Sequence, residues 1–515
     1  MKVPKNTKIL ILIFVVGIIF RLWHIDFGLP YHTHNDEPEL VELAITPAVE
    51  FKRVFLENNL DLLKPSSFIY GTVPSYLIFP VLAGYSQIAQ GLNLSFNKAD
   101  LYLISRAFTA VTSLLVIWAT WKMYKTLLGN KGALMAAAIT ALNWKLIVFG
   151  HFVNSDIYLT IFTTLLLMFF LSYLENKKIK NILLAGIFLG LAVGTKITGA
   201  ILIPMLLYVF LTKKDWKGLA YFSLAGIVSF SLTNPFSITY FSEFTGRILR
   251  MKTQEAGMVL SSVSDNPIRY LLSTGYIATP LVALMALYGK WKALKQEQRL
   301  TQHIFLIGCV ITYILFFTLT GKRQTDRWML PIVPIVIVYA SFGISQILNK
   351  LNRFKKAIVL VTLLASISYF PILLLFQFKS NTPKVEGFLW AKENITETST
   401  KLIIEESKNS VFGKLPNSEI YMFNVYESKG ALEEMPPNTK GYDYIIIASK
   451  TMLNHKKPYV IEHFPEYSKK WNTFENNLNN KEKYEKVVEF ALPKPNIITL
   501  SNITIYRNLG SQVIF

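Results

Sequence analysis

Apolar runs long enough to cross a membrane dominate roughly the first three quarters of this chain, and charged residues bound each run. A helix of about 20 apolar residues spans the hydrocarbon core of a bilayer, which is about 30 Å thick. The pattern therefore predicts a polytopic α-helical membrane protein. The runs cover residues 9–20, 71–91, 101–121, 133–150, 157–173, 181–211, 218–235, 268–290, 302–320, 327–347 and 357–377.

The apolar pattern stops near residue 380, and the remaining chain is mixed polar and rich in Asn, Lys and Glu. Within it, residues 382–395 have helical apolar spacing, and residues 399–408 predict a strand. Residues 441–450 and 496–508 are rich in β-branched side chains and also predict strands. We therefore predict a transmembrane domain over residues 1–378 and a small soluble α/β domain over residues 379–515.

Positive charge is concentrated in short loops between the apolar runs. The chain has 53 Lys and Arg against 33 Asp and Glu, a formal net charge of +20. Because cytoplasmic loops of membrane proteins are enriched in Lys and Arg, this excess indicates topology and gives little weight to nucleic-acid binding. The basic loops lie at residues 175–181, 212–218, 289–299 and 349–356.

Placing these basic loops inside predicts an inside N-terminus and a C-terminal domain outside the cell (plasma or inner) membrane. Such a multi-pass topology needs an odd number of spans, and 11–13 transmembrane helices fit the runs. The 31-residue run 181–211 must then cross twice, as two short helices that meet near residues 194–196. The single cysteine, Cys309, excludes an intramolecular disulfide.

The number of apolar runs conflicts with the sides of the membrane that the basic loops assign to two aspartates. The loops place both Asp36 and Asp156 outside, yet three apolar runs lie between them, and an odd number of crossings would separate them. Two explanations remain open. Either one segment between residues 71 and 150 does not span, or a short helical hairpin lies near residues 141–149.

Acidic residues follow the first apolar run. Asp36 and Glu37 lie in the predicted first outer loop, residues 24–70, before an amphipathic stretch that we expect to form interfacial helices. They either cap a helix that begins near Pro38 or act as bases, because carboxylates at the edge of a low-dielectric region have raised pKa values. Asp156, at the start of a later run, has the same two interpretations.

Basic residues also lie at the predicted outer boundary, against the usual trend. Lys322, Arg323 and Arg327 precede one span, and Arg247 belongs to a basic loop before another. Lys196 interrupts the run 181–211. Its side chain either extends to the membrane interface or binds an anionic lipid head group. A lipid phosphate is the simplest reason for cations at this boundary.

Acids beside phosphate-binding cations predict a group-transfer enzyme that acts on a phosphorylated lipid. A polytopic transporter or flippase is the alternative, but it requires acids at mid-membrane depth and inverted repeats, and neither is clear here. A third alternative is a subunit that has the fold of such an enzyme and binds its ligand but has lost the activity.

Four stretches carry a family resemblance: "HNDEPE", "FGHFVNSDIYLTIFTTLLLMFF", "LAGIFLGLAVGTKITGAILIPMLL" and "RQTDRWMLPIVPIVIVYA". In this order and spacing they resemble the GT-C glycosyltransferases, in the bacterial family 39-like branch related to protein O-mannosyltransferases and the lipid A aminoarabinose transferase. The resemblance covers roughly residues 5–375. The tail contains no Trp-Trp-Asp motif, and it is too short for the β-trefoil insert of eukaryotic protein mannosyltransferases, which leaves the acceptor open.

The resemblance implies inverting transfer of a sugar from a polyprenyl-phosphate donor to a protein, lipid or glycan hydroxyl at the outer face. Asp36 would be the base that deprotonates the acceptor, Glu37 would assist it, and Asp156 would be the second-loop acid. Some relatives hold a divalent metal, which His34 would help Asp36 and Glu37 to bind. The predicted contacts to the lipid phosphate or sugar are Lys64, His151, Lys196, Arg247, Arg323 and Arg327.

Overall fold

The computed structural model describes residues 4–31, 36–253, 266–295, 299–320, 325–405, 410–422, 436–448 and 453–511. The first part is helical. Its helices are α1 Lys5–Leu22, α2 Glu37–Val49, α3 Phe51–Phe55, α4 Val73–Gly91, α5 Lys98–Leu128, α6 Ala133–Ala141, α7 Trp144–Gly150, α8 Ser155–Asn176, α9 Ile179–Thr195, α10 Ile203–Lys213, α11 Trp216–Thr233, α12 Pro235–Thr239, α13 Phe241–Thr253, α14 Asn266–Ala278, α15 Pro280–Leu294, α16 Leu300–Thr320, α17 Val333–Leu348 and α18 Arg353–Lys379.

Several of these helices are long and apolar enough to cross a membrane. Among the described residues there are five such helical stretches, or up to seven if two bent helix pairs each count as one span. The five are Lys98–Leu128, Ser155–Asn176, Leu300–Thr320, Asp326–Leu348 and Arg353–Asn394. The bent pairs are α6 with α7, at 55°, and α14 with α15, at 107°. The predicted multi-pass helical domain is confirmed, and the total of 11–13 spans stays a prediction.

The run 181–211 forms two shorter apolar helical segments, as the sequence predicts. Helix α9 ends at Thr195, and a short 3-10 helix, Ile197–Leu202, leads directly into α10. Lys196 is the single residue between the two segments, and its backbone is extended. The break therefore presents a lysine at one end of the bundle.

Small residues allow the central helices to approach closely. A Cβ atom added to Gly186 would lie 2.3 Å from the carbonyl oxygen of Phe222, and one at Gly190 would lie 2.4 Å from that of Gly226. These positions join α9 to α11. Because apolar side chains gain nothing by leaving lipid for a helix interface, close van der Waals packing at small residues drives association in membranes.

Three loops meet at one end of the bundle. The backbone N–H of Gly71, before α4, donates to the carbonyl of Thr195, the last residue of α9, at 3.0 Å. The N–H of Thr72 donates to Asn234 Oδ1, after α11, at 3.1 Å. A Cβ atom at Gly71 would lie only 1.8 Å from the carbonyl oxygen of Gly194, so the chain can close here only with glycine. We call this the site end of the bundle.

Helix α4 resolves the conflict in the span count. It lies along α2 and runs in the same direction, because Ser75 donates to the Leu40 carbonyl and Ser86 donates to the Ala48 carbonyl. Asp36 and Asp156, moreover, both lie within ion-pair distance of Arg327 and therefore lie at one end of the bundle.

The candidate spans between these aspartates are α5 and the bent pair α6–α7, and two crossings would keep the aspartates on one side. Helix α4 is not among the candidate spans, so the structure does not support the expected span over residues 71–91. The physical reason is composition, since α4 carries Pro74, Pro80 and several polar side chains that reduce its preference for hydrocarbon.

The tail forms a small mixed sheet with flanking helices. Its strands are β1 Lys401–Glu405, β2 Ser418–Met422, β3 Tyr444–Ala448, β4 Tyr484–Phe490 and β5 Ile503–Asn508, and its helices are α19 Pro383–Asn394, α20 Pro458–His463 and α21 Pro465–Leu478. The strand order is β2-β1-β3-β5-β4, with β2, β1 and β3 parallel and β5 antiparallel to both its neighbours. The α/β fold of the tail, with its predicted helix and strands, is confirmed.

The tail packs against the site end of the bundle. Gln377, near the end of α18, donates to the Pro493 carbonyl and accepts from the Ile497 N–H. The following Phe378 stacks on His151 with ring centroids 3.7 Å apart. The domain boundary at residue 378 stays a prediction, because the segment around Ile497 is buried with the helical core.

Candidate active site

Four of the predicted site residues form one continuous ionic network. Arg327 Nη1 lies 2.5 Å from Asp36 Oδ2, and Arg327 Nε lies 3.4 Å from Asp156 Oδ2. Lys196 Nζ lies 2.6 Å from the other Asp156 oxygen, Oδ1. Residues almost 300 positions apart in the chain are thus joined through two carboxylates and two cations. We call this set, Asp36, Asp156, Lys196 and Arg327, the charged cluster.

Asp36 occupies the N-cap position of α2 but does not cap it. Its side chain forms no hydrogen bond to the backbone of the first helical turn, and it reaches Arg327 instead. Tyr70, in the loop before α4, also hydrogen-bonds to the Asp36 carboxylate. Burial and the neighbouring Asp36 charge raise the pKa of Tyr70, so its phenol stays a neutral donor at physiological pH.

Asp156 lies in the first turn of α8 and is almost completely buried, with 4% of its side chain exposed. The helix cap is Asn154, whose side chain accepts a hydrogen bond from the Ile157 N–H at 3.0 Å. Asp156 is therefore not needed for capping. A buried carboxylate without compensation is costly, and the contacts with Lys196 and Arg327 supply that compensation.

Lys196 does not extend along the bundle surface towards the interface. It is 16% exposed and is committed to Asp156. The extended backbone between α9 and the 3-10 helix that follows directs it inward at the site end. A lysine that balances a buried carboxylate places a positive charge in the cluster.

Arg327 is the second residue of the 3-10 helix Asp326–Ile332, which leads into α17. The preceding Asp326 pairs with Lys145 Nζ at 2.7 Å, and Lys145 is almost fully buried. Lys145 belongs to α7, so this ion pair anchors the start of the arginine-bearing segment to a second helix. The Arg327 side chain as a whole is 31% exposed, although its Nε is buried.

Glu37 has a different environment from Asp36. Its side chain is fully buried and pairs bidentately with the fully buried Arg106, at 2.8 Å and 2.6 Å. Glu37 Oε1 also accepts the backbone N–H of Val153, three residues before Asp156. Arg106 further donates to the carbonyls of Ile25 and Phe27. This pair therefore ties the loop of Asp36 to the loop of Asp156.

Two other predicted contacts, Lys64 and His151, lie outside the charged cluster. Lys64 pairs with Glu243 at 3.3 Å and lies 3.5 Å from the ring centroid of Tyr240. His151 is fully buried, stacks on Phe378, and has its Nε2 3.2 Å from the carbonyl of His24.

The structure says less about the last two predicted contacts, Arg247 and Arg323. Arg247 belongs to α13, the helix that also carries Glu243. Arg323 lies outside the described residues.

The described residues do not fit a metal site at Asp36 and Glu37. Both oxygens of Glu37 are bonded to Arg106, and Asp36 is bonded to Arg327. Across the described part of the chain, no group of three or more His, Cys, Asp or Glu residues is arranged to hold a metal. His34, the third predicted ligand, lies outside that part. We derive no catalytic step through a metal.

Sequence reasoning did not find Arg106, Tyr70 or Lys145. Arg106 did leave a signal, because it is a lone arginine within the apolar run 101–121, and an ionisable residue inside a span is expected to have a partner. Lys145 left the same signal as the lone charged residue of the run 133–150, whereas Tyr70 left none. Their roles depend on contacts with residues distant in the chain.

Comparison with solved structures gives the same fold. ArnT from Cupriavidus metallidurans in the apo state matches with a TM-score of 0.54 and 12% identity, over 98% of each chain. ArnT bound to undecaprenyl phosphate matches with a TM-score of 0.53 and 14% identity, over 96% of this chain and 97% of that one. The archaeal oligosaccharyltransferase AglB from Archaeoglobus fulgidus, in complex with an inhibitory peptide and a dolichol-phosphate, matches with a TM-score of 0.54 and 13% identity, over 90% and 72%.

These likenesses show that the chain shares its fold with the glycosyltransferases ArnT and AglB. Residues 94–238 match the family model described as dolichyl-phosphate-mannose-protein mannosyltransferase. Those residues contain Arg106, Asp156 and Lys196. No curated protein sequence matches the chain significantly.

Proposed function

We propose that this enzyme transfers a sugar from a polyprenyl-phosphate donor to a hydroxyl group of a protein, lipid or glycan acceptor, with inversion at the anomeric carbon. The observation that carries the proposal is the position of Arg327 between Asp36 and Asp156, with Lys196 on the far side of Asp156. The undecaprenyl phosphate and dolichol-phosphate of the ArnT and AglB structures support a lipid-phosphate donor.

In the proposed reaction the acceptor oxygen attacks C1 of the sugar. The bond between C1 and the phosphate oxygen breaks, and its electron pair leaves with the polyprenyl phosphate. The acceptor hydroxyl loses its proton to the Asp36 carboxylate, which must lie within hydrogen-bond reach. A phosphate is a good leaving group, so the reaction needs cationic stabilisation more than a strong acid.

Arg327 and Lys196 are the proposed source of that stabilisation. The Arg327 guanidinium would bind the phosphate oxygens, which suit its planar array of donors. Asp156 holds both cations in place through its two carboxylate oxygens. Tyr70, as a neutral donor, keeps the Asp36 carboxylate oriented towards the acceptor.

Two rival functions predict different behaviour. A transporter would move the lipid-linked sugar without breaking its glycosidic bond, and an inactive binding subunit would retain the lipid without transfer. The Asp36→Asn variant tests the enzyme against both. We expect the purified variant to retain binding of the polyprenyl-phosphate sugar and to lose release of polyprenyl phosphate. An active Asp36→Asn variant would contradict the assigned base.

We further propose that the site end faces the outside of the cell (plasma or inner) membrane, with the tail domain on the same side. The basic loops at the opposite ends of the helices support this orientation through the positive-inside rule. Accessibility of the tail to a protease added to intact cells tests it. Protection of the tail in intact cells, with cleavage only after lysis, would overturn the orientation.

We also propose that transfer does not depend on a metal held by Glu37, because its oxygens already bind Arg106. Dialysis against EDTA should leave the transfer rate unchanged. Loss of the rate, with recovery on adding a divalent cation, would show a metal site formed by other residues.

A further inference from the structure

A basic cleft lies at the end of the bundle opposite the charged cluster. It has a volume of about 270 Å³ and is formed by the ends of α5 and α8 together with the residue before α16. Its charged lining residues are Lys122, Lys125, Glu175 and Arg299. Three cations against one carboxylate give this lining a net positive charge.

The charges of the cleft are only partly compensated. Arg299 pairs with Glu175 at 2.8 Å and also donates to the carbonyl of Thr126. Among the described residues, neither Lys122 nor Lys125 has a carboxylate within ion-pair distance. Two ammonium groups therefore remain available to an anion beside a guanidinium that is already held in position.

The depth of the cleft corresponds to the head-group region of a membrane. From Arg106 to Lys125, α5 rises about 28 Å, and from Asp156 to Glu175, α8 rises the same distance, about 28 Å. The hydrocarbon core of a bilayer is about 30 Å thick. Two helices that begin beside the charged cluster thus end at the cleft one hydrocarbon thickness away.

An aromatic side chain marks the same boundary. Lys125 Nζ lies 4.5 Å from the ring centroid of Trp121, one helical turn closer to the bundle centre. Tryptophan is enriched where the hydrocarbon of a membrane meets its head groups, and basic pockets between helix ends bind anionic lipid head groups. Deeper in the bundle the neighbouring contact is fully aromatic, between Trp118 and Phe169.

We propose that this cleft binds the phosphate of an anionic phospholipid head group, such as that of phosphatidylglycerol. The site is separate from the proposed donor site by the thickness of the bilayer, and it does not depend on the transfer reaction. The phosphate would contact Lys122, Lys125 and Arg299, and the acyl chains would lie along the apolar surface of the bundle. Inorganic phosphate has the same charged group but no acyl chains, so it distinguishes a lipid site from a simple anion site.

The test is a lipid titration of the full-length purified chain, followed by native mass spectrometry. We compare phosphatidylglycerol, phosphatidylcholine and inorganic phosphate on the unmodified chain and on the double variant Lys122→Ala, Lys125→Ala. The matched control is Lys213→Ala, Lys214→Ala, which removes two exposed lysines at the end of α10. The variant Lys122→Arg, Lys125→Arg keeps both positive charges, and it tests whether positive charge at these positions is enough for lipid binding.

We expect the unmodified chain to retain phosphatidylglycerol in preference to the other two ligands. The alanine double variant should bind it more weakly, by about fivefold for each lysine removed, whereas the control and the arginine variant should bind it normally. Equal retention of phosphatidylcholine, or equal binding of inorganic phosphate, would overturn the lipid assignment. Undiminished phosphatidylglycerol binding by the alanine variant would overturn the site itself. If that variant does not fold, loss of binding in the arginine variant would count against the proposed charge contacts.

Discussion

At the scale of single residues, two adjacent acids have opposite environments. Asp36 lies in the charged cluster and is partly exposed, whereas Glu37 is buried and paired with Arg106. Adjacent residues at the start of a helix project in different directions, so Asp36 reaches Arg327 while Glu37 points into the core. The motif therefore combines a proposed base with a structural ion pair.

Replacing Arg327 should show whether activity needs the planar shape of its guanidinium or only its positive charge. Lysine retains the positive charge but lacks the planar fork that contacts both aspartates, so we expect Arg327→Lys to lose most activity. Loss of a preorganised donor to a developing negative charge typically costs about 10²–10³ in kcat, which we expect for Arg327→Gln. Steady-state transfer kinetics measure both variants. Arg353→Gln, an exposed arginine at the start of α18, is the control, and an active Arg327→Gln variant would contradict the proposal.

The Glu37–Arg106 pair gives a prediction on stability. Removing one partner leaves a buried, uncompensated charge, which costs about 3–5 kcal/mol. We expect Glu37→Gln and Arg106→Gln each to lower the unfolding temperature strongly.

The double variant Glu37→Gln, Arg106→Gln should then be less unstable than the two single effects added together, because no isolated charge remains. Thermal unfolding in detergent measures all three variants. Strictly additive losses would show that the two side chains do not act as a pair.

At the scale of elements, α4 shows that an apolar run of sufficient length does not always cross the membrane. It is held along α2 by two serine-to-carbonyl hydrogen bonds, and its prolines and polar side chains suit an interface. The elements that cross between the two aspartates are therefore α5 and the bent pair α6–α7. This assignment fixes the side on which the loop after α4 lies.

Cysteine labelling tests the position of α4. Cys309 is buried, so a Cys309→Ser background with Asn93→Cys reports the loop between α4 and α5. We expect a membrane-impermeant thiol reagent to label position 93 from the same side as the tail domain. Lys131→Cys, after α5, should label only from the opposite side. Labelling of position 93 from the side opposite the tail domain would contradict the assignment.

At the scale of the whole molecule, His151 joins three parts of the chain. Its ring stacks on Phe378 near the tail, and its Nε2 faces the carbonyl of His24 in the first loop. The same histidine lies between α7 and α8, close in sequence to Asp156. The tail, the first loop and the site are thus connected through one buried ring.

Burial lowers the pKa of His151 from its ordinary value of 6.5 to about 3. The unfolded chain therefore binds a proton between these pH values that the folded chain does not, and stability falls as the pH drops below 6.5. The loss is about 1.4 kcal/mol per pH unit for one such group.

We expect a His151→Gln variant, which cannot take up this proton, to show a weaker loss of stability between pH 6.5 and pH 5. Thermal unfolding at several pH values measures the difference. Identical pH dependence in the variant and the unmodified chain would exclude His151 as the source.

The sequence by itself determined the membrane class, the α/β tail, the break at Lys196 and the resemblance to GT-C glycosyltransferases. These features depend on local properties: the length of apolar runs, the alternation of β-branched residues and short motifs in a given order. The choice of Asp36, Asp156, Lys196 and Arg327 as candidates also came from such patterns.

Only the tertiary structure decided which candidates meet. Arg327 contacts Asp36 and Asp156 because three separate segments converge at one end of the bundle, and no local pattern records that convergence. The same holds for Glu37, whose role depends on Arg106 in α5, and for α4, whose position depends on α2. A charge in a low-dielectric interior needs a partner, and the fold determines which distant residue provides it.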